Sequence, residues 1–318
     1  ETALWLESDR MLALDFSQKS LDVQRNVVIE EFKQRYFNNP YGDIWLKLRP
    51  LAYKVHPYQW PTIGKNIDHI AGASLEEVED FFHRFYAPDN AILSISGNIT
   101  DEKALELVKK WFGDIPPALY KRKALPMEPQ QTEERRLVCE HNKVPADAIY
   151  KVYHMGDRRS DNFYTCDTIS DILSNGQSSR LYINLIKNGK LFSEVDAYIT
   201  GDMDPGLFIF SGKLSEGVAI EEAEVAIQNE IDHFIEDPIS ERELQKVINK
   251  TEARISYSEI NYQGKSANLA FFDYLGDVNL INSESTRYAE VSLDSIKQTA
   301  RELFSAKNCS TLWYLKDK

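Results

Sequence analysis

An internal repeat limits what this chain can fold into more than any other feature. Residues 74–90 resemble residues 292–308 at an offset of 218 positions, and each copy opens with a serine that can cap a helix. Each copy continues as an amphipathic helix and is followed by an apolar, strand-like run. Residues 27–28 (Val-Val) also lie opposite residues 247–248 (Val-Ile), 220 positions apart. Chance similarity of amphipathic helices is the alternative, but two matches at nearly one offset favour two related domains.

The repeat predicts where the two domains begin and end. The second copy starts near Thr132, after a linker rich in proline and basic residues. The same offset places the start of the first copy before residue 1, so about 80 to 100 residues of that domain are expected outside this chain. We therefore predict that residues 1–115 are the C-terminal part of a first domain, that 116–131 are the linker and that 132–318 are a second domain.

The order of the predicted elements indicates the fold class. Strands and helices segregate along the chain instead of alternating one by one, which favours an α+β fold over a doubly wound parallel sheet. The patterns predict strands at 90–97, 135–141, 147–154, 193–200, 206–214 and 309–315. They predict helices at 2–14, 19–38, 43–53, 66–71, 75–86, 101–112, 161–174, 178–188, 219–236, 240–275 and 292–304.

Charge and hydropathy exclude two classes of partner. The 318 residues include 50 acidic and 37 basic residues, for a formal net charge of −13. Nucleic acid and anionic lipid both need a basic face, so neither is an expected partner. No apolar run approaches eighteen residues, so the sequence predicts no membrane span.

The helix predicted at 19–38 carries the candidate functional residues. Gln24 and Glu31 are seven positions apart, which is two helical turns, so they share one face. Ser20 is the predicted N-cap. The other reading of Glu31 is an ordinary surface acid, or a partner of Arg35 four residues later. Apolar residues that predict a buried stripe recur at helical spacing: Val23, Val27, Val28, Phe32 and Tyr36.

An ordered series of short runs resembles one family of peptidases. The runs are Ala-Leu-Trp-Leu-Glu-Ser-Asp-Arg-Met at 3–11, Gln-Arg-x-x-Val-x-x-Glu at 24–31 and Asn-Pro-Tyr-Gly at 39–42, with further matches at 60–64, 86–91, 112–116 and 172–182. Together they resemble the M16 (insulinase and pitrilysin) zinc peptidases, most of all the shorter bacterial members. The resemblance implies two repeated M16-like domains of the LuxS/MPP-like type, the first truncated at its N-terminus.

The resemblance also implies a role for Glu31. The family binds zinc through an inverted H-x-x-E-H helix, in which two histidines are ligands and the glutamate is the general base, and through a third ligand, a glutamate on a later helix. Glu31 matches that third ligand. Glu30 is the competing candidate if the register is off by one, but Val28 falls on the valine of the motif. Gln24 stands where many members carry an acid beside the ligands, and it could hold a water or a ligand carboxylate.

The chain departs from the family pattern in one decisive respect. Its histidines, at positions 56, 69, 83, 141, 154 and 233, include no pair at H-x-x-E-H spacing. The histidine ligands and the general base are therefore expected outside this chain, and zinc is expected in the intact protein but not bound here. Opposite Glu31 in the second copy stands Thr251, which fits a non-catalytic second domain. Arg158, Arg159 and Arg180 could be substrate anchors, but solvated charges or packing ion pairs are the favoured interpretation.

Two functions remain open from the sequence. In the first, the chain is part of a zinc metalloendopeptidase that cleaves peptides in a chamber between M16-like domains, and this piece alone is inactive. In the second, it is a non-catalytic M16-like scaffold or partner subunit. The partners implied by the resemblance are peptide substrates and another M16-like subunit in a homo- or heterodimer. Bacterial members of the family suggest the periplasm.

Overall fold

One five-stranded sheet forms in the computed structural model, which describes residues 1–121, 123–141 and 144–317. The strands are β1 (Arg135–His141), β2 (Ala148–His154), β3 (Phe192–Ile199), β4 (Leu207–Leu214) and β5 (Cys309–Lys316). Their order in the sheet is β1-β5-β2-β4-β3. β1 pairs with β5 in parallel, and the other neighbours pair antiparallel. Arg122, in the predicted linker, and Asn142, Lys143 and Lys318 lie outside the described residues.

The α-helices account for most of the remaining chain. They are α1 (Thr2–Leu12), α2 (Gln18–Phe32), α3 (Ile44–Ala52), α4 (Ile67–Gly72), α5 (Leu75–Phe85), α6 (Asp101–Phe112), α7 (Phe163–Ser174), α8 (Ile220–Glu236), α9 (Glu241–Ser258), α10 (Tyr262–Tyr274), α11 (Leu280–Ala289) and α12 (Leu293–Leu303). None of the helices in the described residues has the length and apolarity that a membrane span requires.

The chain divides into two compact units, which do not follow the order of the sequence. We call Glu1–Arg35, Thr62–Leu125 and Ser256–Asn282 the helical unit, and Tyr36–Pro61, Pro126–Ile255 and Ser283–Lys318 the sheet unit. The predicted boundaries at 115 and 132 describe a repeat in the sequence, whereas these units describe compactness. The repeat boundaries therefore stay a prediction.

In the sheet unit, helices cover both faces of the sheet. On one face, α7, α8, α9 and α12 contribute buried residues such as Ile169, Ile227, Val247 and Ile296, which share an apolar core with Phe210 of β4. The opposite face is covered by α3. Its Ile44, Leu48 and Ala52 recur every four residues and are almost fully buried in a second apolar cluster, with residues of β2, β4 and β5. Helix α3, which precedes the predicted linker, therefore folds with the sheet of the second repeat.

Polar contacts fix α3 and the chain after it within the sheet unit. The Tyr314 hydroxyl donates to Asp43 Oδ1 at 2.5 Å, at the start of α3. Arg135 donates to the carbonyl oxygens of residues 51 and 52, which α3 leaves free at its C-terminal end. The Glu128 carboxylate accepts from three consecutive backbone N–H groups, those of residues 54–56, at 2.8 to 2.9 Å. Burial alone would raise the pKa of Glu128, but these donors outweigh it and lower that pKa.

The helical unit contains α1, α2, α4, α5, α6 and α10, and no strand occurs among its described residues. The Phe16 and Phe82 rings meet edge to face, with centroids 5.1 Å apart, between the start of α2 and the middle of α5. Arg25 of α2 donates to the Ala73 carbonyl oxygen at 2.5 Å, just before α5 begins. These contacts fix α2 against the α4–α5 region.

The structure corrects several predicted elements. Residues 91–97, predicted as part of a strand at 90–97, form no strand, because no strand among the described residues pairs with them. The single helix predicted at 240–275 is two, α9 and α10. A Cβ on Gly264 would lie 2.2 Å from the Ser258 carbonyl oxygen, so the helix end packs closely against this glycine. The cap of α2 is Ser17, which accepts from the Ser20 N–H, and not Ser20 itself.

Candidate functional site

The predicted site helix, α2, is confirmed as a helix, but its predicted buried stripe is only partly buried. Phe32 and Tyr36 are buried, whereas Val23 and Val27 are each more than half exposed. The stripe prediction was wrong for these two valines, because an apolar pattern gives the face that a helix can bury and not whether a partner is present. After Phe32 the helix widens into a π-helical turn, Lys33–Phe37.

Glu31 lies in the last turn of α2 with an exposed side chain. Among the residues that the structure describes, none pairs with its carboxylate. Its neighbour Glu30, the competing candidate, instead accepts from Lys33 Nζ at 2.7 Å in an ordinary surface pair between residues three apart. Gln24, two turns earlier, is exposed as well. Glu31 is thus available to bind a ligand, and its role as a zinc ligand stays a prediction.

The residues of this chain do not by themselves fit a zinc ion. A catalytic zinc site needs three protein ligands, and a structural site needs four. In the described part of the chain, no three His, Cys, Asp or Glu side chains converge as a group that could hold a metal. Glu31 supplies one carboxylate only. Any zinc at this position needs at least two donors from elsewhere.

Two of the six histidines are structural groups in the sheet unit, of which His56 is buried and His154 is half-buried. His56 Nδ1 accepts from the Tyr58 N–H at 3.2 Å, and the ring contacts Tyr58 edge to face at 4.3 Å. His154 Nε2 lies 3.0 Å from the Ala52 carbonyl oxygen, so this nitrogen carries the proton. Burial lowers the pKa of His154, although the Ala52 hydrogen bond opposes that effect. Both rings serve the packing around α3.

The three candidate arginine anchors behave as the favoured interpretation predicted. Arg158 is buried and donates to Glu284 at 2.5 Å and to the Tyr164 hydroxyl at 3.1 Å. Arg180 binds both carboxylate oxygens of Glu243, at 2.9 and 3.2 Å. Arg159 is exposed. Arg158 and Arg180 therefore form ion pairs that hold helices together within the sheet unit.

Helix α9, which contains the counterpart of Glu31, contacts α7 and its C-terminal end. Thr251 is 2% exposed. Lys250 donates to the Asn175 side chain, and Arg254 Nη2 lies 3.4 Å from Asp167 Oδ2. Asn175 follows directly on the end of α7 and Asp167 lies within it, so α7 runs alongside α9 at this point. The sequence did not reveal this neighbour, since residues 167 and 254 are 87 positions apart.

Comparisons with known proteins agree with this fold. The family model described as "Peptidase M16 inactive domain" matches residues 72–251, more than half of the chain. Two relatives are the zinc protease PqqE of Helicobacter pylori, 26% identical over 98% of this chain and 71% of the relative, and the uncharacterized zinc protease YmxG of Bacillus subtilis, 23% identical over 95% of this chain and 72% of the relative.

A solved structure supports the fold independently of the sequence matches. The crystal structure of a protease from Helicobacter pylori superposes with a TM-score of 0.91 at 23% identity, over 98% of this chain and 76% of that one. This likeness confirms the predicted M16-like α+β fold, and the family model confirms the resemblance drawn from the short sequence runs. The chain belongs to the peptidase M16 family, and its matched residues correspond to that family's inactive domain.

Proposed function

We propose that this chain is part of a zinc metalloendopeptidase, in which Glu31 is one zinc ligand and the remaining ligands come from residues outside these 318. The observation that carries the proposal is the position of Glu31, an exposed and unpaired carboxylate on α2, at the place where its repeat counterpart Thr251 lies buried beside α7. Relatives named as zinc proteases support the reaction class.

The arrangement of α7 and α9 indicates what would lie beside Glu31. Asp167, Asp171 and Asn175 follow one another at intervals of four residues, so they line one side of α7 and its end. The first and last of these contact α9, one on each side of Thr251. Applied to the first repeat, the same arrangement places a helix with residues at i and i+4 next to Glu31. Two donors at that spacing and one glutamate make the three protein ligands of a catalytic zinc site.

In this proposal the rest of the chain shapes the enzyme. The second repeat has a threonine in place of the ligand and serves as a wall of a peptide chamber between M16-like domains. Gln24 shares the Glu31 face and would hold a water or a ligand carboxylate. The 318-residue chain alone would neither retain zinc in stoichiometric amount nor hydrolyse peptides, because one carboxylate is not a zinc site. A second M16-like subunit in a homo- or heterodimer remains part of the proposal.

A non-catalytic scaffold or partner subunit is the second candidate function. It accounts as well as the first for the finding that the described residues contain no group of three metal-binding side chains. The two candidates predict different codons before Glu1. An intact H-x-x-E-H motif about 80 residues before Glu31 supports the peptidase, since Asp171 precedes Thr251 by 80 positions. An interrupted motif supports the scaffold.

The ligand role is tested in the complete product of the gene that contains these residues. Glu31→Gln should abolish stoichiometric zinc in elemental analysis and lower peptide hydrolysis by at least about 100-fold, because it removes a ligand directly. The matched control is Glu30→Gln, which removes a carboxylate of the same helix turn and should leave both measurements unchanged. Full zinc content and activity in the Glu31→Gln variant would contradict the assignment. A parent protein without zinc or hydrolysis would favour the scaffold.

A further inference from the structure

The sheet has two edge strands, β3 and β1, which differ in how open they are to another strand. In the described chain β3 pairs with β4 alone, and its register shifts between Phe192 and Glu194, so a bulge disrupts it. It also carries two acids, Glu194 and Asp196. Bulges and charges are the usual means by which an edge strand avoids pairing with other chains.

The other edge strand, β1, is regular. Its seven residues pair with β5 in an unbroken parallel register, and no strand among the described residues pairs with its other side. Arg136, Val138 and Glu140 are exposed, and the residues between them are half-buried. Val138, in the middle of the strand, is an apolar residue that is 50% exposed. β1 is therefore an edge to which another strand could be added.

The charges of β1 complement those of a second copy of the same strand. Two copies that pair antiparallel about Val138 place Arg136 of each opposite Glu140 of the other, and Val138 opposite Val138. Side chains alternate between the two faces of a sheet, so opposite residues must differ by an even number of positions. Moving the centre of pairing by one residue would place Glu140 opposite Val138 or Glu134 instead. The charges thus favour one register.

Contacts within the sheet unit hold Arg136 in place at this edge. Its guanidinium donates to both carboxylate oxygens of Glu224 on α8, at 2.6 and 2.7 Å, and to Glu134 at 2.9 Å. Its Cζ atom lies 5.2 Å from the centroid of the Trp313 ring. These hydrogen bonds use three of the five N–H donors of the side chain, which is still 40% exposed. Two donors remain for a carboxylate of another chain.

We propose that β1 is the interface of a symmetric homodimer, in which two copies of the protein join their sheets edge to edge about Val138. The pairing closes on itself, because a two-fold axis through Val138 uses the same edge of both copies. It gives a surface to the homodimer that the proposed function leaves open. It does not depend on that function, since neither Glu31 nor zinc takes part in the pairing.

A disulfide across the two-fold axis tests the register in the complete product of the gene. Val138→Cys places two thiols opposite each other at a Cα separation of about 4.5 to 5.5 Å, which a disulfide can span. Glu140→Cys is the matched control, because its two thiols would lie four residues out of register, about 14 Å apart. Both variants carry Cys139→Ser. Under mild oxidation, Val138→Cys should form a covalent dimer on a non-reducing gel and Glu140→Cys should not.

Light scattering over a series of protein concentrations tests the charge pairing. The parent product should be a dimer that dissociates on dilution. Glu140→Arg puts arginine opposite arginine twice and should raise the dissociation constant by about 10-fold. It should leave the unfolding midpoint unchanged, because Glu140 is exposed. The matched control is Glu194→Arg, the same change on the other edge strand, which should leave the dimer unchanged.

The outcomes separate this interface from the zinc assignment and from other interfaces. A Glu31→Gln variant that dimerises as the parent does supports the proposal whether or not the zinc assignment holds. A product that stays monomeric at every concentration overturns it. So does a dimer that Val138→Cys fails to cross-link, or one that Glu140→Cys cross-links as efficiently as Val138→Cys.

Discussion

Helices α5 and α12 are the same element in two environments. Both begin with a capping box, Ser74 with Glu77 and Ser292 with Ser295. Each is followed by a short 3₁₀ turn that ends in an asparagine, at 88–90 and at 306–308. Their apolar faces differ in burial, since Val78 is 36% exposed and its counterpart Ile296 is 0% exposed. The comparison teaches that a helix and its caps form from local sequence, whereas burial and strand pairing need a partner that local sequence does not supply.

The largest expected difference between the two helices is in the cost of truncating this apolar position. Ile296→Ala should lower the free energy of unfolding of the sheet unit by about 2 to 5 kcal/mol, because it opens a cavity in a filled core. Val78→Ala is the matched change and should cost well under 1 kcal/mol in the 318-residue chain, because that side chain is already exposed. Urea unfolding read from the protection of local amides measures both. Similar costs would mean that the two faces do not differ as described.

A second difference concerns how the long helix of each repeat begins. In α9, Glu243 binds Arg180 and accepts from the N–H and hydroxyl of Ser240, whereas its counterpart in α2, at the offset of 220, is the exposed Val23. Burial alone would raise the pKa of Glu243, but these donors outweigh it and lower the pKa to about 2.

The sign of the pH effect follows from that lowered pKa. The stabilisation from Glu243 is present above its usual value and is lost as pH falls from about 4.5 to about 2. Glu243→Gln should therefore cost about 1 to 3 kcal/mol near neutral pH and much less at pH 2. The control is Glu241→Gln, which changes an exposed acid two residues earlier in α9. A pH-independent loss in the Glu243→Gln variant would contradict the ion-pair explanation.

The smallest effect should be the same in both repeats. Ser74→Ala and Ser292→Ala each remove the side-chain acceptor of a capping box, and each should cost about 1 kcal/mol. Local hydrogen exchange in the first turns of α5 and α12 measures this cost. A cap that matters in α12 and not in α5 would show that the capping energy depends on burial, against the local origin inferred above.

The parts that the sequence predicted are those fixed by near neighbours. The caps Ser74 and Ser292 and the helix 101–112 depend on residues a few positions apart, and the structure has each of them where it was predicted. The strand predicted at 90–97 does not form, because none of the strands among the described residues pairs with this segment. The packing of α3 against the sheet was not predicted, because it depends on contacts between residues far apart in the sequence. One example is the contact of Tyr41 with Ala146, 105 positions away.

The features of the candidate site also differ in whether nearby residues in the sequence determine them. The helix face that Glu31 shares with Gln24 could be read from spacing, and the match of Glu31 to a family motif named a chemistry for it, whereas the exposure of that face could not be read from the sequence. Outside the site, the structural role of Glu128 could not be found from the sequence, because the three N–H groups that it binds are 72 to 74 positions away. Whether Glu31 binds zinc depends on donors that no pattern within these 318 residues can supply.

The folding of residues 36–61 with the sheet unit has a consequence for proteolysis. A protease that cuts between residues 116 and 125 would sever the two repeats in sequence, yet α3 would stay seated on the sheet through Asp43, Arg135 and Glu128. Cleavage of this peptide bond would then not release the first repeat from the second. Because α3 precedes the predicted linker but packs on the sheet, the two fragments of a nicked chain would stay associated and migrate as one particle.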